Sequence, residues 1–182
     1  MLKIIFNKIK HVYINRSYEA KRKYLIKQGA RIGQGTRLNC TTNAFGSEPY
    51  LIEVGENCLF AAETCFITHD GGISVLNNLH KFLKAGKPVR MDKIAPIRIG
   101  NNVYTGMGAM IMPGVRIGNN VIIGAHSVVT HDIADNSVAV GIPARVISSI
   151  EDYYRRSLPK VDETKKLSYP KKKAYYLKKF KL

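Results

Sequence analysis

Residues 99–134 repeat one pattern of apolar and small positions every six residues. The six consecutive hexads read IGNNVY, TGMGAM, IMPGVR, IGNNVI, IGAHSV and VTHDIA. Their first position is aliphatic in five of six, their second is glycine in four of six, and their fifth is always small or aliphatic. A period of six fits neither a helix nor a single long strand. It predicts short strands separated by tight turns, with one corner in each repeat.

Each hexad position has a predicted place in such a coil. The branched residue at the first position points into the interior, and the small or aliphatic fifth residue fits a narrow core. Glycine at the second position is expected to admit a corner conformation that other residues avoid.

The same pattern recurs more weakly nearer the N-terminus, over residues 32–43 and 54–71. Between Val54 and Ile99 lie 45 positions, which is seven hexads and three further residues. An insertion therefore interrupts the repeat, at about residues 72–96. A long irregular excursion from a regular core is more often functional than accidental.

Both ends of the chain differ from the repeat. Residues 1–28 predict a helix whose apolar stripe comprises Leu2, Ile5, Ile9 and Val12. We expect residues 1–31 to cover the open first coil, because repeat proteins need capped ends. Binding to anionic lipid is the alternative role of this segment. Residues 149–182 predict a basic helical tail that includes PKKKAYYLKKFKL.

The charge of the chain is confined to those ends. The net charge is +16 over 182 residues, of which residues 1–31 and 145–182 contribute +8 each and residues 32–144 contribute none. A basic surface of this kind suits an anionic membrane or an acidic glycan. Nucleic acid is not expected, because no nucleic-acid-binding fold signature accompanies the lysines and aromatic residues of the tail.

Composition excludes further classes. No apolar run approaches the roughly 20 residues that span a bilayer, and the MLKIIFNKIK start lacks the features of a signal peptide. Three cysteines without a CxxC motif, at Cys40, Cys58 and Cys65, predict reduced structural thiols in a cytosolic protein.

The hexads, the THD segment at 68–70, the long insertion after it and the closing NSVAVGIPARVI at 136–147 resemble the hexapeptide-repeat acyltransferases. The nearest resemblance is to enzymes that O-acetylate sugars of surface polysaccharides, and it covers residues 32–148. It implies an all-β core, a left-handed parallel β-helix of hexapeptide repeats with an inserted loop, flanked by N- and C-terminal helices and assembled as a homotrimer. This handedness departs from the usual right-handed crossover rule.

The resemblance also implies a function, namely transfer of acetyl from acetyl-CoA to a sugar hydroxyl of a surface polysaccharide or its precursor. The implied location is cytoplasmic, with peripheral contact to the inner membrane face through the basic ends as a further expectation. N-acetylation of an amino sugar, acetylation of a xenobiotic alcohol and a non-enzymatic β-helix scaffold that binds membrane or acidic glycan stay open as alternatives.

Direct acetyl transfer to a hydroxyl needs a base, and a histidine is suited to that role. The five histidines are His11, His69, His80, His126 and His131. The resemblance places the catalytic histidine at His69, where the repeat gives way to the insertion. It would act as general base toward the acceptor and then as acid toward the departing CoA thiolate.

Two carboxylates are candidates to orient this imidazole, Asp70 and Glu63. Glu63 precedes His69 by one hexad and so holds the equivalent position on the preceding face. In galactoside-type relatives this position is commonly asparagine, which leaves the role of Glu63 open. Both carboxylates are equally explained as solvated turn residues.

The residues expected to hold acetyl-CoA follow from the resemblance alone. Backbone groups at Met107, Gly108, Gly124 and Ala125 would meet the thioester and pantetheine, Thr130 would lie near the pantetheine arm, and Arg145 would lie near the phosphates. Tyr104 would lie beside the acceptor or the thioester. Corner geometry is the alternative explanation of the glycines.

A zinc site is the remaining alternative, since β-helix carbonic anhydrases use three histidines. His126 and His131 are five residues apart, and His69 would be the third ligand. The resembling anhydrases carry an adjacent His-His pair in earlier coils that this chain lacks, so no metal is expected.

Overall fold

A computed structural model describes residues 14, 15, 17–79 and 90–182. The apolar stripe of the predicted N-terminal helix, together with His11 and His80, lies outside the described residues.

The described residues form a series of short strands. In chain order they are β1 (Arg31–Ile32), β2 (Arg37–Leu38), β3 (Ile52–Val54), β4 (Leu59–Phe60), β5 (Cys65–Phe66), β6 (Ile97–Ile99), β7 (Tyr104–Thr105), β8 (Met110–Ile111), β9 (Arg116–Ile117), β10 (Ile122–Ile123), β11 (Val128–Val129), β12 (Ser137–Gly141) and β13 (Ala144–Ser149). The α-helices are α1 (Tyr18–Lys27), α2 (Ile73–Asn77), α3 (Ile150–Ser157) and α4 (Tyr169–Phe180), and short 3-10 helices cover Thr42–Phe45, Pro49–Leu51 and Leu158–Lys160.

The strands form three sheets, which are the three faces of a coil. Face A contains β1, β3, β6 and β9, face B contains β2, β4, β7, β10, β12 and β13, and face C contains β5, β8 and β11. All pairs are parallel except β12 with β13. Tyr104 pairs with Ile122 and Met110 with Val128, a spacing of three hexads. The predicted left-handed parallel β-helix with three hexads per coil is therefore confirmed.

The insertion lies where the spacing predicted it. Val54 pairs directly with Ile99 across face A, so 45 residues separate these neighbours, whereas Ile99 and its next neighbour Ile117 are 18 apart. The chain leaves the coil after β5 and returns at β6. At the base of the insertion the Ala95 amide donates to the Thr68 carbonyl (2.9 Å) and the Asp70 amide to the Lys93 carbonyl (2.8 Å). The insertion is thus fixed to the coil on either side of His69.

The side chains at the first and fifth hexad positions face the interior, as the repeat predicts. All twelve first- and fifth-position residues of the six hexads are buried, which confirms the predicted core. They are Ile99, Val103, Thr105, Ala109, Ile111, Val115, Ile117, Val121, Ile123, Ser127, Val129 and Ile133. The two hydroxyl groups among them are bonded, that of Thr105 to Thr64 at 2.8 Å and that of Ser127 to the Gly141 amide at 3.0 Å.

The prediction that the second-position glycines adopt the corner conformation is wrong. The left-handed backbone falls at the fourth hexad position, with φ values of 55° at Asn102 and Asn120, 69° at Gly108 and 53° at His126. Asparagine tolerates this region better than most residues, because its short side chain bonds locally. The second-position glycines do not have positive φ. They are required instead because the neighbouring coil lies too close for a Cβ atom.

The asparagines of one corner also bond to each other from coil to coil. The Asn102 side-chain amide donates to the Asn120 oxygen, and that of Asn120 to the Asn136 oxygen, both at 2.9 Å. This ladder joins successive coils outside the strands, so the corner residues contribute to the stacking as well as to the turn.

Helix α1 covers the first coil with cationic side chains. Strand amides of this coil donate upward to the second coil, as Arg37 does to the Cys58 carbonyl, so the carbonyls on the other side need donors. The buried Lys21 ammonium supplies donors to the Leu38 and Cys40 carbonyls at 2.7 and 2.8 Å. Arg22 Nε donates at 3.1 Å to two further carbonyls, those of residues 32 and 33. Part of the N-terminal charge therefore closes the open end of the β-helix.

Residues 151–182 form a compact unit of their own. The Asp162 carboxylate accepts from Tyr175 Oη at 2.8 Å and from Lys179 Nζ at 2.6 Å, and Thr164 bonds to the Tyr176 hydroxyl. These contacts hold α4 against the segment before it. In the part of the chain that the structure describes, no helix has both the length and the apolar character to cross a bilayer.

Candidate active site

His69 lies at the corner between faces C and A, just after β5. Its side chain is half exposed, and its Nδ1 atom lies 3.0 Å from Glu48 Oε2. Glu48 belongs to the first coil, between the 3-10 helices Thr42–Phe45 and Pro49–Leu51. The imidazole is therefore held by a carboxylate from the coil beneath it.

Glu48 is itself fixed by two hydroxyl groups. Thr68 Oγ1 donates to Oε2 at 2.6 Å, and Ser47 Oγ donates to Oε1 at 2.7 Å. These hydrogen bonds, Thr68 first and Ser47 second, lower the pKa of Glu48 to about 2, with a smaller contribution from His69. Since the side chain is only 15% exposed, this carboxylate is an ionised and largely enclosed partner for the imidazole.

The predicted neighbour Asp70 has other partners. Its Oδ2 lies 3.0 Å from Lys93 Nζ, and its Oδ1 accepts from the Gly72 amide at 3.0 Å. The hydrogen bond from Lys93 is the main reason that the pKa of Asp70 is lowered. Asp70 thus ties the two sides of the insertion together beside His69.

Glu63 lies in a different cleft. It occupies the corner before β5 with φ 62°, whereas His69 follows β5. The cleft that it lines measures about 320 Å³ and is formed by Asn39, Cys40, Thr41, Asn43, Ala44, Ala62, Glu63, Thr64 and Cys65. The carboxylate that bonds the imidazole is therefore Glu48, and neither Asp70 nor Glu63 holds that position.

The sequence contained little that could reveal Glu48. It precedes His69 by 21 residues and lies in a stretch without hexads. The one available signal was the spacing between the first two coils, where Arg31 pairs with Glu53 at a separation of 22 rather than 18 residues. Those extra residues leave the coil at the corner that carries His69.

His69 borders a cavity of about 390 Å³. Its lining residues are Ile67, His69, Asp70, Gly71, Lys93, Met112, Pro113 and Thr130. The cavity combines apolar walls with a few polar groups, as small-molecule sites commonly do. An imidazole at its edge has the position needed to take a proton from a hydroxyl group bound there.

The residues predicted for acetyl-CoA divide between two corners. Met107, Gly108, Gly124 and Ala125 lie at the corner between faces B and C, where the His126 amide bonds the Met107 carbonyl at 2.8 Å. Tyr104 lies on face B and is partly exposed. Face C, with outward side chains from β5, β8 and β11, separates this corner from the one that carries His69.

Thr130 and Arg145 lie on the His69 side. Thr130 lines the His69 cavity, and its hydroxyl bonds His131 Nδ1 at 2.8 Å. His131 in turn lines a second cleft of about 370 Å³ with Asp132, Ile133, Ala144, Arg145 and Val146. The two cavities are thus lined by consecutive residues, 130 and 131, and Arg145 provides a cation in the second of them.

The alternative metal ligands do not form one group. His126 and His131 lie at opposite ends of β11, on different corners of the coil. Within residues 14–15, 17–79 and 90–182, no three His, Cys, Asp or Glu side chains are placed to share a metal ion.

All three cysteines are free thiols. Cys40 and Cys58 are buried, and Cys65 is half-buried. Burial raises the pKa of the Cys40 thiol to about 11 and raises that of Cys58 as well. Both thiols thus remain protonated at neutral pH, which suits packing rather than nucleophilic chemistry.

Comparison with known proteins identifies similar chains. Residues 96–131 match the bacterial transferase hexapeptide (six repeats) family. Protein CapG of Staphylococcus aureus is 44% identical over 156 residues, which cover 85% of this chain and 86% of that protein. Galactoside O-acetyltransferase of Escherichia coli K12 is 34% identical over 124 residues, covering 68% of this chain and 57% of that protein.

A solved structure has the same fold. A maltose O-acetyltransferase from Clostridium difficile 630 is 28% identical and superposes with a TM-score of 0.51, covering 79% of this chain and 84% of that one.

Proposed function

The chain belongs to the bacterial transferase hexapeptide family, and we propose that it is an O-acetyltransferase that moves acetyl from acetyl-CoA to a sugar hydroxyl of a surface polysaccharide or its precursor. The observation that carries this proposal is His69, which is bonded to Glu48 at the edge of a cavity. The similarity to a galactoside O-acetyltransferase and a maltose O-acetyltransferase supports a sugar as the acceptor.

The reaction is direct transfer from thioester to hydroxyl. His69 takes the hydroxyl proton as the oxygen forms a bond to the thioester carbonyl carbon. The carbon–sulfur bond of the resulting tetrahedral intermediate then breaks, and the imidazolium returns the proton to the departing thiolate. We propose no covalent enzyme intermediate. Cys40 and Cys58 are buried thiols with raised pKa, and Cys65 lines a different cleft from that of His69.

We propose that the part of acetyl-CoA near Thr130 and Arg145 lies along the corner that carries His69. Thr130 lines the cavity at His69, and the next residue, His131, lines the cleft that contains Arg145. A guanidinium suits the phosphates of CoA, and the apolar side chains of Met112 and Pro113 suit the methylene groups of pantetheine.

An acceptor screen tests the function. The protein is incubated with acetyl-CoA and a panel of sugars, amino sugars, oligosaccharide repeat units and simple alcohols, and products are identified by mass spectrometry. We expect one acetyl group on a sugar oxygen, with stoichiometric release of CoA thiol. Transfer only to nitrogen or only to simple alcohols would point to the other acetyltransferase classes, and the absence of both transfer and acetyl-CoA binding would favour a scaffold.

We propose further that the chain acts as a homotrimer. The CoA residues predicted at Met107, Gly108, Gly124 and Ala125 lie at another corner than His69, so corners of two subunits would need to meet in one site. Outward apolar side chains on faces B and C, among them Leu59, Tyr104, Met110 and Val128, are suited to such contacts. Sedimentation equilibrium should give about three times the chain mass of 20.4 kDa, and a monomer mass at working concentration would contradict the proposal.

The basic C-terminal unit is proposed to contact an anionic membrane. Six lysines fall within residues 169–182, and Tyr169, Phe180 and Leu182 are exposed among them. This pairing of cations with exposed apolar side chains suits the surface of anionic lipid. The full chain should sediment with vesicles that contain phosphatidylglycerol, and not with phosphatidylcholine vesicles. The variant Lys171→Glu, Lys172→Glu, Lys173→Glu should lose most of this binding, and equal binding by both proteins would contradict the role.

A further inference from the structure

We infer that Glu48 is the positioning residue of the active site, which holds the His69 imidazole with its Nε2 atom toward the acceptor hydroxyl. This inference rests on the proposed function, because it assigns to Glu48 a part in the same proton transfer. Its basis is the 3.0 Å contact between Glu48 Oε2 and His69 Nδ1.

The contact fixes which ring nitrogen carries the proton. An ionised carboxylate only accepts hydrogen bonds, so the neutral imidazole must donate from Nδ1. Its Nε2 atom then holds the free lone pair, as a general base requires. After proton transfer the imidazolium lies against a negative charge, which stabilises it until the thiolate leaves.

The carboxylate is built to stay ionised. Both of its oxygens accept from hydroxyl groups, those of Thr68 and Ser47, and Thr68 is fully buried. These hydrogen bonds favour the charged form and lower the pKa of Glu48 to about 2. Glu48 is therefore an anion at neutral pH.

The backbone anchors Glu48 to the strand that carries His69. Phe45, three residues earlier, is buried with its ring centroid 4.6 Å from that of Phe66 on β5. Gly46 then reverses the chain with φ 63°. A core contact thus holds the segment before Glu48 against β5, which supports the preorganisation that a positioning residue needs.

The other charged groups around the imidazole compensate one another. Asp70 and Lys93 both line the cavity and pair at 3.0 Å, and Thr130 and its partner His131 lie farther along the same corner. Among the described residues that line this cavity or bond His69, Glu48 is the carboxylate in contact with the ring.

The test is Glu48→Gln, with Glu53→Gln as the matched control. Glu53 is a glutamate in ion pairs with Arg31 and Arg98 on face A, away from the cavity. We expect Glu48→Gln to lower kcat about 100-fold with the acceptor KM within about threefold, and to leave acetyl-CoA binding intact. The control should keep the kcat and the acceptor KM of the wild type.

A spectroscopic measurement separates positioning from a structural role. Nitrogen-15 NMR of the imidazole should show the Nδ1–H tautomer of His69 in the wild type and a mixture in Glu48→Gln. Thr68→Val, which removes one hydroxyl in a buried site of nearly the same shape, should lower kcat about tenfold. It keeps the test available if Glu48→Gln does not fold.

An unchanged kcat and an unchanged His69 tautomer in a folded Glu48→Gln protein would overturn the inference. A wild type that acetylates no acceptor while its His69 tautomer responds to Glu48→Gln would contradict the proposed function and leave the positioning intact. The two failures are therefore distinguishable.

Discussion

Replacing His69 with alanine should reduce acetyl transfer by about 1,000-fold, within the 10²- to 10⁴-fold range of general acid–base catalysis. The imidazole is the proposed proton acceptor for the sugar hydroxyl. Glu48 does not line the cavity, so it is not placed to accept that proton instead. The loss should appear in kcat, because the residues predicted to hold CoA are left in place. Stopped-flow detection of CoA thiol release measures the rate.

Two control experiments accompany this prediction. Acetyl-CoA should raise the melting temperature of His69→Ala as much as that of the wild type, since a ligand stabilises the state it binds. His126→Asn should retain most of the activity, because asparagine tolerates the left-handed backbone at this corner (φ 53°). A turnover of His69→Ala near that of the wild type would remove His69 from the mechanism, and an inactive, metal-depleted His126→Asn would instead favour a metal site.

Sequence periodicity was sufficient for the parts of the fold that are local and repeated. Burial at the first and fifth hexad positions follows from a coil of three short strands, and a spacing of 45 residues between Val54 and Ile99 located the insertion. These features depend only on counting residues along the chain. The corner conformation was assigned to the wrong position, because glycine serves both left-handed turns and close approach, and composition does not separate the two uses.

The candidate site was only partly predictable for a related reason. His69 stands at an interruption of the repeat, which the sequence displays. Glu48 reaches it from the preceding coil, through a segment anchored by Phe45 against Phe66. Such a contact depends on how two irregular excursions meet at one corner, and no periodic signal encodes it.

The sequence allowed two interpretations of the charge of the N-terminal segment, capping of the first coil and binding to anionic lipid. The structure shows that part of this charge caps the first coil. Lys21 and Arg22 donate to carbonyls of the first coil, where a further strand would otherwise supply amides. Composition alone does not distinguish a lysine that caps a β-helix from a lysine that binds lipid. They differ in burial, since Lys21 is buried and the tail lysines are exposed.

A large loss of stability is expected from Gly100→Ala, at the corner between faces A and B. A Cβ atom on Gly100 would lie 2.7 Å from the Gly118 carbonyl oxygen and 2.8 Å from its carbon. Both are backbone atoms of the next coil, so no side chain can move aside to make room. The Gly100 amide also donates to the Ile117 carbonyl at 2.8 Å, and a shift that relieves the clash would lengthen this bond.

We therefore expect Gly100→Ala to lower the free energy of unfolding by about 3 kcal/mol, at the upper end of overpacking costs. For a chain of this size that corresponds to roughly 10 °C in melting temperature. Gly71→Ala is the matched control, because a Cβ atom there would meet nothing within 4 Å. Urea unfolding followed by circular dichroism measures both variants. Equal unfolding midpoints for the two would mean that the coils can separate at this corner without cost, and close approach would then not explain the glycine of the hexad.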